Sequence, residues 1–315
     1  MQSALVIAFQ AAVMFILLAA GYFLYKWDFL DGDSTRRLSN IVITVINPIV
    51  IFNAYQTDFQ PELARGLLHA MILAFSCQTL MAIIAKFVVT KKHKNFEIER
   101  FATGYSNCAF MGIPLAQAAF GAEGVFYLTS FITAFNVFMW THGVIQMSGK
   151  KPTGRSLLKI LASPAIISIA LGLVFFLTGW KLPEIVQRPM DYLGNMNTPL
   201  AMIVSGATIA KSGLLKGLKT PRIYYLQSWK LLIIPLFLSA LAVPTELLGV
   251  SPTVVRTVLM AASSPTASST IMLSYKFGKD EGYASNHFAM STVASMLTIP
   301  VMMTAVNFLE SLLNL

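Results

Sequence analysis

Long apolar stretches recur along the chain, each close to the ~20 residues that a helix needs to cross a hydrocarbon layer, and charged or turn residues separate them. They predict ten helices, over residues 4–25, 36–54, 66–89, 99–120, 124–147, 157–178, 189–210, 223–243, 253–275 and 286–309. The first has no basic residue before it and runs too long for a secretory leader. It closes on Lys26 and Trp27, as membrane-interface anchors do, and reads as a helix of the mature protein.

Two of these stretches are poor helix interiors for a bilayer. The fourth contains GYSNCAFMGIP at 104–114 and the ninth AASSPTASST at 261–270. Pro114 and Pro265 each lack an amide donor and obstruct the preceding turn, while glycines, serines and threonines loosen the backbone around them. Unwound backbone at membrane depth is tolerated only where it is buried in protein or lines a wet cavity. A broken helix also points the free amides and partial positive charge of a new N-terminus at that cavity. Two broken helices crossing near the midplane would suit an anion.

The chain repeats itself around two short loops, AAFGAEGVFY at 118–127 and YKFGKDEGY at 275–283. INPIVIF at 46–52 and MNTPLAMIV at 196–204 also correspond, each setting an asparagine beside a proline. The expected organisation is two five-helix repeats, 1–150 and 151–315. Five is odd, so the second is inverted relative to the first, as in secondary transporters.

Composition agrees with a lipid environment: 56% of the 315 residues are apolar and 12% charged. The net charge of +9 does not point to nucleic acid, because the basic residues form short runs between apolar stretches. Of 23 lysines and arginines, 18 fall in or beside the first, third, fifth, seventh and ninth connections, among them Arg36, Arg37, Lys91, Lys92, Lys94, Lys150, Lys151, Arg155, Lys211, Lys216, Lys219 and Arg222. The even connections hold Arg65, Lys181, Arg188 and Arg256. This bias predicts a multi-pass protein of the cell (inner or plasma) membrane with both termini extracytoplasmic. Cys77 and Cys108 lie inside apolar segments and suggest neither a disulfide nor a metal site.

The runs SNCAFMGIP (106–114), SPTASSTIMLSYKFGKDEGY (264–283) and STVASMLTIPVM (291–302) together resemble the auxin efflux carrier family, including its bacterial members. The resemblance covers nearly the whole chain. It implies an all-α integral membrane fold of ten transmembrane helices like that of bile-acid and sodium/proton antiporter-type carriers. Helices 1, 2, 6 and 7 would form a scaffold, and helices 3–5 and 8–10 a transport domain carrying the broken helices 4 and 9. It also implies a small organic anion as substrate, an elevator-type motion and a homodimer in membrane lipid. Asn107 takes the place of the crossover asparagine that holds the substrate carboxylate.

The candidate substrate-binding residues are therefore Asn107, Ser106, Cys108, Pro114, Ser263, Ser264, Pro265, Thr266, Asn47 and Asn197. Asn47 and Asn197 either line the cavity or satisfy the carbonyl that a neighbouring proline frees, and several of the hydroxyl residues serve as small packing residues. His69, His142 and His287 fall near predicted span ends and read as interfacial. Lys86 and Lys230 read as snorkelling to the cytoplasmic surface, and Glu123, Asp280 and Glu281 as loop or capping residues. No cofactor or metal is expected. An intramembrane enzyme would need an apposed nucleophile and base or a zinc motif, which the sequence lacks; a channel would need a pore loop or a ring of charge. Uniport and sodium-coupled symport of the bile-acid type both stay open, since hydroxyl and carbonyl oxygens suffice for sodium.

Overall fold

A computed structural model describes residues 2–149, 154, 161–212 and 217–315. Most of the fifth connection, with Lys150, Lys151 and Arg155, the start of the predicted sixth span, and Lys216 lie outside the described residues. Within them the chain forms helices α1 (Gln2–Lys26), α2 (Gly32–Ala54), α3 (Pro61–Val88), α4 (Phe96–Gly104), α5 (Cys108–Ser148), α6 (Pro164–Thr178), α7 (Glu184–Asn195), α8 (Asn197–Ser212), α9 (Pro221–Leu248), α10 (Pro252–Ala262), α11 (Ser269–Lys276) and α12 (Glu281–Leu312). The described residues contain no strand, only one isolated bridge. Six helices are long and apolar enough to cross a membrane: Val6–Lys26 within α1, α2, α3, α5, α9 and α12; α6 and α10 are shorter and apolar.

Large apolar side chains such as Phe9, Ile16, Phe87 and Leu297 stay exposed on the outside of this bundle. A bilayer makes that placement favourable, because the backbone polar groups beneath them are already paired within each helix. Small residues set the closest helix pair. A Cβ on Gly206 of α8 would meet the Leu18 carbonyl of α1, and one on Gly21 of α1 would meet the Ile203 carbonyl of α8, so each glycine admits the other helix's backbone.

The interruptions have visible causes. α5 covers two predicted spans and changes direction at Gly121, whose φ of 62° and ψ of −149° only glycine adopts without strain. Four widened π turns occur, at Val42–Ile46, Cys108–Gly112, Met139–Gly143 and Trp229–Ile233. Three of them hold the residue four positions before a proline: Thr44 before Pro48, Phe110 before Pro114 and Leu231 before Pro235. The ring pushes against that residue's carbonyl and offers it no N–H, so the turn widens there. The predicted seventh span is not one helix either; α7 and α8 meet at Met196.

Candidate functional site

The fourth and ninth predicted spans break where their prolines, glycines and hydroxyl residues cluster. α4 ends at Gly104 and α5 starts at Cys108, while α10 ends at Ala262 and α11 starts at Ser269. The two unwound segments run antiparallel and bridge at Ser106 and Thr266. The Asn107 amide donates to the Pro265 carbonyl at 2.7 Å, and the Ala267 amide donates to the Tyr105 carbonyl at 3.1 Å. Side chains complete the crossing: Ser106 Oγ donates to the Ala262 carbonyl at 2.9 Å and Thr266 Oγ1 to the Ala102 carbonyl at 3.0 Å. Gln78 Nε2 of α3 caps the Gly104 carbonyl at 2.9 Å, and Ser291 Oγ of α12 accepts from the Thr266 amide at 3.1 Å. Helix breaks at this depth leave polar groups that water cannot satisfy, and each break here supplies partners for the other.

The crossing contains a lysine that the sequence reading sent elsewhere. Lys230 does not snorkel to the surface; it is fully buried, and its Nζ donates to Ser106 Oγ at 2.5 Å. The widened turn at Trp229–Ile233 turns Lys230 inward together with Leu231. None of the ion pairs among the described residues includes it. A buried ammonium without a carboxylate is costly, and it marks a place where a negative ligand would be welcome. The signal available in the sequence was a lysine in the middle of the eighth span, five residues before Pro235.

Asn107 lies at the head of α5, 5% exposed, and its side-chain Nδ2 has no partner. Cys108 opens the widened turn and is buried in the apolar core. Ser263 and Ser264 are less available: their hydroxyls donate to the Leu259 and Met260 carbonyls of their own helix, at 2.7 and 3.2 Å. Asn47 is buried with Oδ1 unpartnered, and Asn197 is buried with both amide atoms unpartnered.

A cavity of about 590 Å³ lies beside this crossing, lined by α2, by the first turns of α5 and by the segment from Lys181 to Thr198. Pro114 and Asn197 line it, whereas Ser106, Asn107, Cys108, Ser263, Ser264, Pro265, Thr266 and Asn47 do not. The predicted site residues thus form two groups, a tight crossing and a cavity wall, and α8 packs against the Cys108–Gly112 turn between them. Six of the sixteen lining residues are carboxamides, and Asn53 Oδ1, Gln56 Nε2, Gln187 Oε1 and both amide atoms of Asn197 carry no partner. Lys181 at one end pairs with Asp58 at 3.2 Å, and Asn53 Nδ2 donates to Asp191 at 3.0 Å.

Ion pairs tie the crossing helices to their neighbours. Arg222 of α9 grips the buried Glu99 of α4 through Nε and Nη2, at 3.2 and 2.9 Å, and Tyr283 of α12 donates to the same carboxylate at 3.0 Å. Lys279 pairs with Glu97 at 2.7 Å. His287, expected at an interface, is instead fully buried on α12 with Nδ1 3.1 Å from Gln227 Nε2. α12 starts at Glu281, five residues before the predicted span, which carries His287 inside. His142 is half-buried and bonds the Tyr105 hydroxyl at 2.9 Å, so it supports the crossing. Lys86 is exposed, as snorkelling requires.

An all-helical, multi-pass membrane protein whose broken helices cross around a buried lysine is built like a carrier of small molecules. The family model described as "Membrane transport protein" matches residues 6–303, and this chain belongs to that auxin efflux carrier-like family. It is 24% identical over 297 residues to an "Uncharacterized transporter" of Methanocaldococcus jannaschii, covering 91% of this chain and 94% of the relative. It is 25% identical over 298 residues to a protein of Rhizobium meliloti that bears the name "Putative malonate transporter", covering 90% and 91%. The family and these names indicate a membrane transporter with a small-molecule substrate, not an enzyme.

Proposed function

We propose that this transporter carries small organic anions, carboxylates above all, and holds their head group at the crossing of the two unwound segments. The observation that carries this reading is the fully buried Lys230 amine on Ser106, with no carboxylate paired to it among the described residues, and the unpartnered Nδ2 of Asn107 in the adjoining residue. A carboxylate there would accept from Asn107 Nδ2 and pair with the protonated lysine. Lys230, protonated beside a bound anion, would also repel a metal cation, which favours an anion without sodium at the same point over sodium-coupled symport. The relative named for malonate supports a dicarboxylate.

In this reading the protein has ten spans in two inverted repeats, 1–150 and 151–315. α4 with the start of α5 answers to α10 with α11. α1, α2, α6, α7 and α8 form a dimeric scaffold, and α3–α5 with α9–α12 move against it as one body, exposing the crossing to either side in turn. The close α1–α8 packing, the ion pair joining α4 to α9 and the hydrogen bond from Tyr283 of α12 to Glu99 support two such units. The basic connections face the cytoplasm and both termini face outside.

Isothermal calorimetry on the purified chain, with malonate, succinate, an aromatic monocarboxylate and the corresponding amides, tests the reading. At least one acid should bind and its amide should not, and Lys230→Met should abolish that binding. Equal binding of acid and amide, or full affinity in the variant, contradicts it.

A further inference from the structure

Lys230 sits where little can accept its hydrogens. Its Nζ bonds Ser106 Oγ at 2.5 Å, and that hydroxyl gives its own hydrogen to the Ala262 carbonyl, so it meets the lysine as a neutral acceptor. The adjoining Asn107 presents Nδ2, a donor with no partner, and α5 begins at Cys108, where a helix start carries partial positive charge. The helices packed against the Trp229–Ile233 turn are α4 and α12. Their buried titratable side chains are engaged elsewhere: Glu99 with Arg222 and Tyr283, His287 with Gln227, and Glu310 with Arg256. On α9 itself, Arg222 and Glu246 stand two turns or more from Lys230. Cys108 is the titratable group that the crossing itself adds, and it is buried in the apolar core.

An ammonium carries three hydrogens and a full charge, and this place offers one hydroxyl and no paired carboxylate among the described residues. A neutral amine fits it at far lower cost. A carboxylate arriving at Asn107 reverses the balance, because the two charges then neutralise each other. We propose that Lys230 is a neutral amine in the empty carrier and takes up one proton with each carboxylate it binds, so that the protein is a proton-coupled symporter of organic anions. This rests on the crossing as the carboxylate site and adds the coupling ion. The proton comes from the water on the side from which the anion enters, and the amine lone pair binds it. The ammonium stays paired with the carboxylate while the site crosses, and both leave when the pair meets water on the other side. A monocarboxylate then moves without net charge, and a malonate dianion with one negative charge. The complex holds one more proton than the empty site, so affinity falls as pH rises, by about tenfold per pH unit wherever the empty lysine is neutral and the bound one charged.

Nitrogen NMR of the full chain in lipid nanodiscs, labelled at lysine and free of substrate, is the first half of the test. At about pH 8, where an ordinary lysine at ~10.4 is an ammonium, the Lys230 signal should be that of a neutral amine, recognised by its loss in Lys230→Met. Calorimetry with malonate, in buffers of different ionisation enthalpy, should then count one proton taken up per malonate, with the tenfold slope running from about pH 7 to about pH 9. Lys230→Arg keeps its charge throughout and should bind with no proton uptake and a flat profile; if it fails to accumulate, the wild type decides alone. An ammonium at Lys230 in the empty protein, or binding by the wild type without proton uptake, overturns the proposal. Failure of every acid to bind would overturn both readings, and a neutral amine in the empty-protein spectrum would trace that failure to the substrate reading.

Discussion

Asn107 and Lys230 approach the crossing from different helices, and their removal should have different signatures. Asn107→Ala takes away an unpartnered amide donor that sits beside backbone bonds it does not itself make. Carboxylate affinity should fall roughly tenfold or more, since a hydrogen bond to a charged group is worth ~1.5–3 kcal/mol, while the melting temperature stays close to wild type. Calorimetry beside thermal unfolding checks both halves. Lys230→Met removes a buried polar group whose desolvation opposes folding, so stability should hold or rise even as binding is lost. A lysine kept for structure would show the reverse: a large drop in melting temperature with affinity intact in whatever folds. Asn107 stood out in the sequence because glycine, serine and proline surround it. Lys230 did not, because a single widened turn decides which face of α9 it joins, and hydropathy at that resolution carries no such information.

The helices divide into those whose contacts are backbone-close and those pinned by charge. α1 and α8 belong to the first kind, and Gly206→Ala should push a methyl against the Leu18 carbonyl, which cannot move without shifting α1. The expected cost is about 1–3 kcal/mol or more, read as a lower melting temperature with little change in substrate affinity among the surviving molecules. α4 and α9 belong to the second. Arg222→Met leaves Glu99 buried beside Tyr283 without its cation, and the loss of one partner from such a pair costs about 3–5 kcal/mol. A thermal-unfolding shift much smaller than that of Gly206→Ala would show the pair to be hydrated. Much of this arrangement was legible beforehand: GYSNCAFMGIP and AASSPTASST located both breaks because proline and glycine act locally. The join at Met196, the early start of α12 and the inward His287 were not, because helix ends depend on tertiary partners as well as on apolar length.

For the molecule as a whole, the distribution of lysine and arginine sets an orientation that can be checked without knowing the substrate. Cys77 and Cys108 are buried, so single cysteines introduced as Lys91→Cys and Lys181→Cys report alone. A membrane-impermeant maleimide added to intact cells should label the second and spare the first; the opposite pattern would invert the protein. The amide-lined cavity would then open to the outside, at the Asp58–Lys181 end. The central claim, that a buried lysine and the unwound segments around it carry carboxylates across the membrane, is tested most directly by counterflow in proteoliposomes loaded with unlabelled malonate and given a trace of labelled malonate outside. The account predicts saturable uptake that overshoots equilibrium, is lost when the internal pool is omitted and is abolished by Lys230→Met; uptake linear in concentration, or an equal overshoot in the variant, would contradict it.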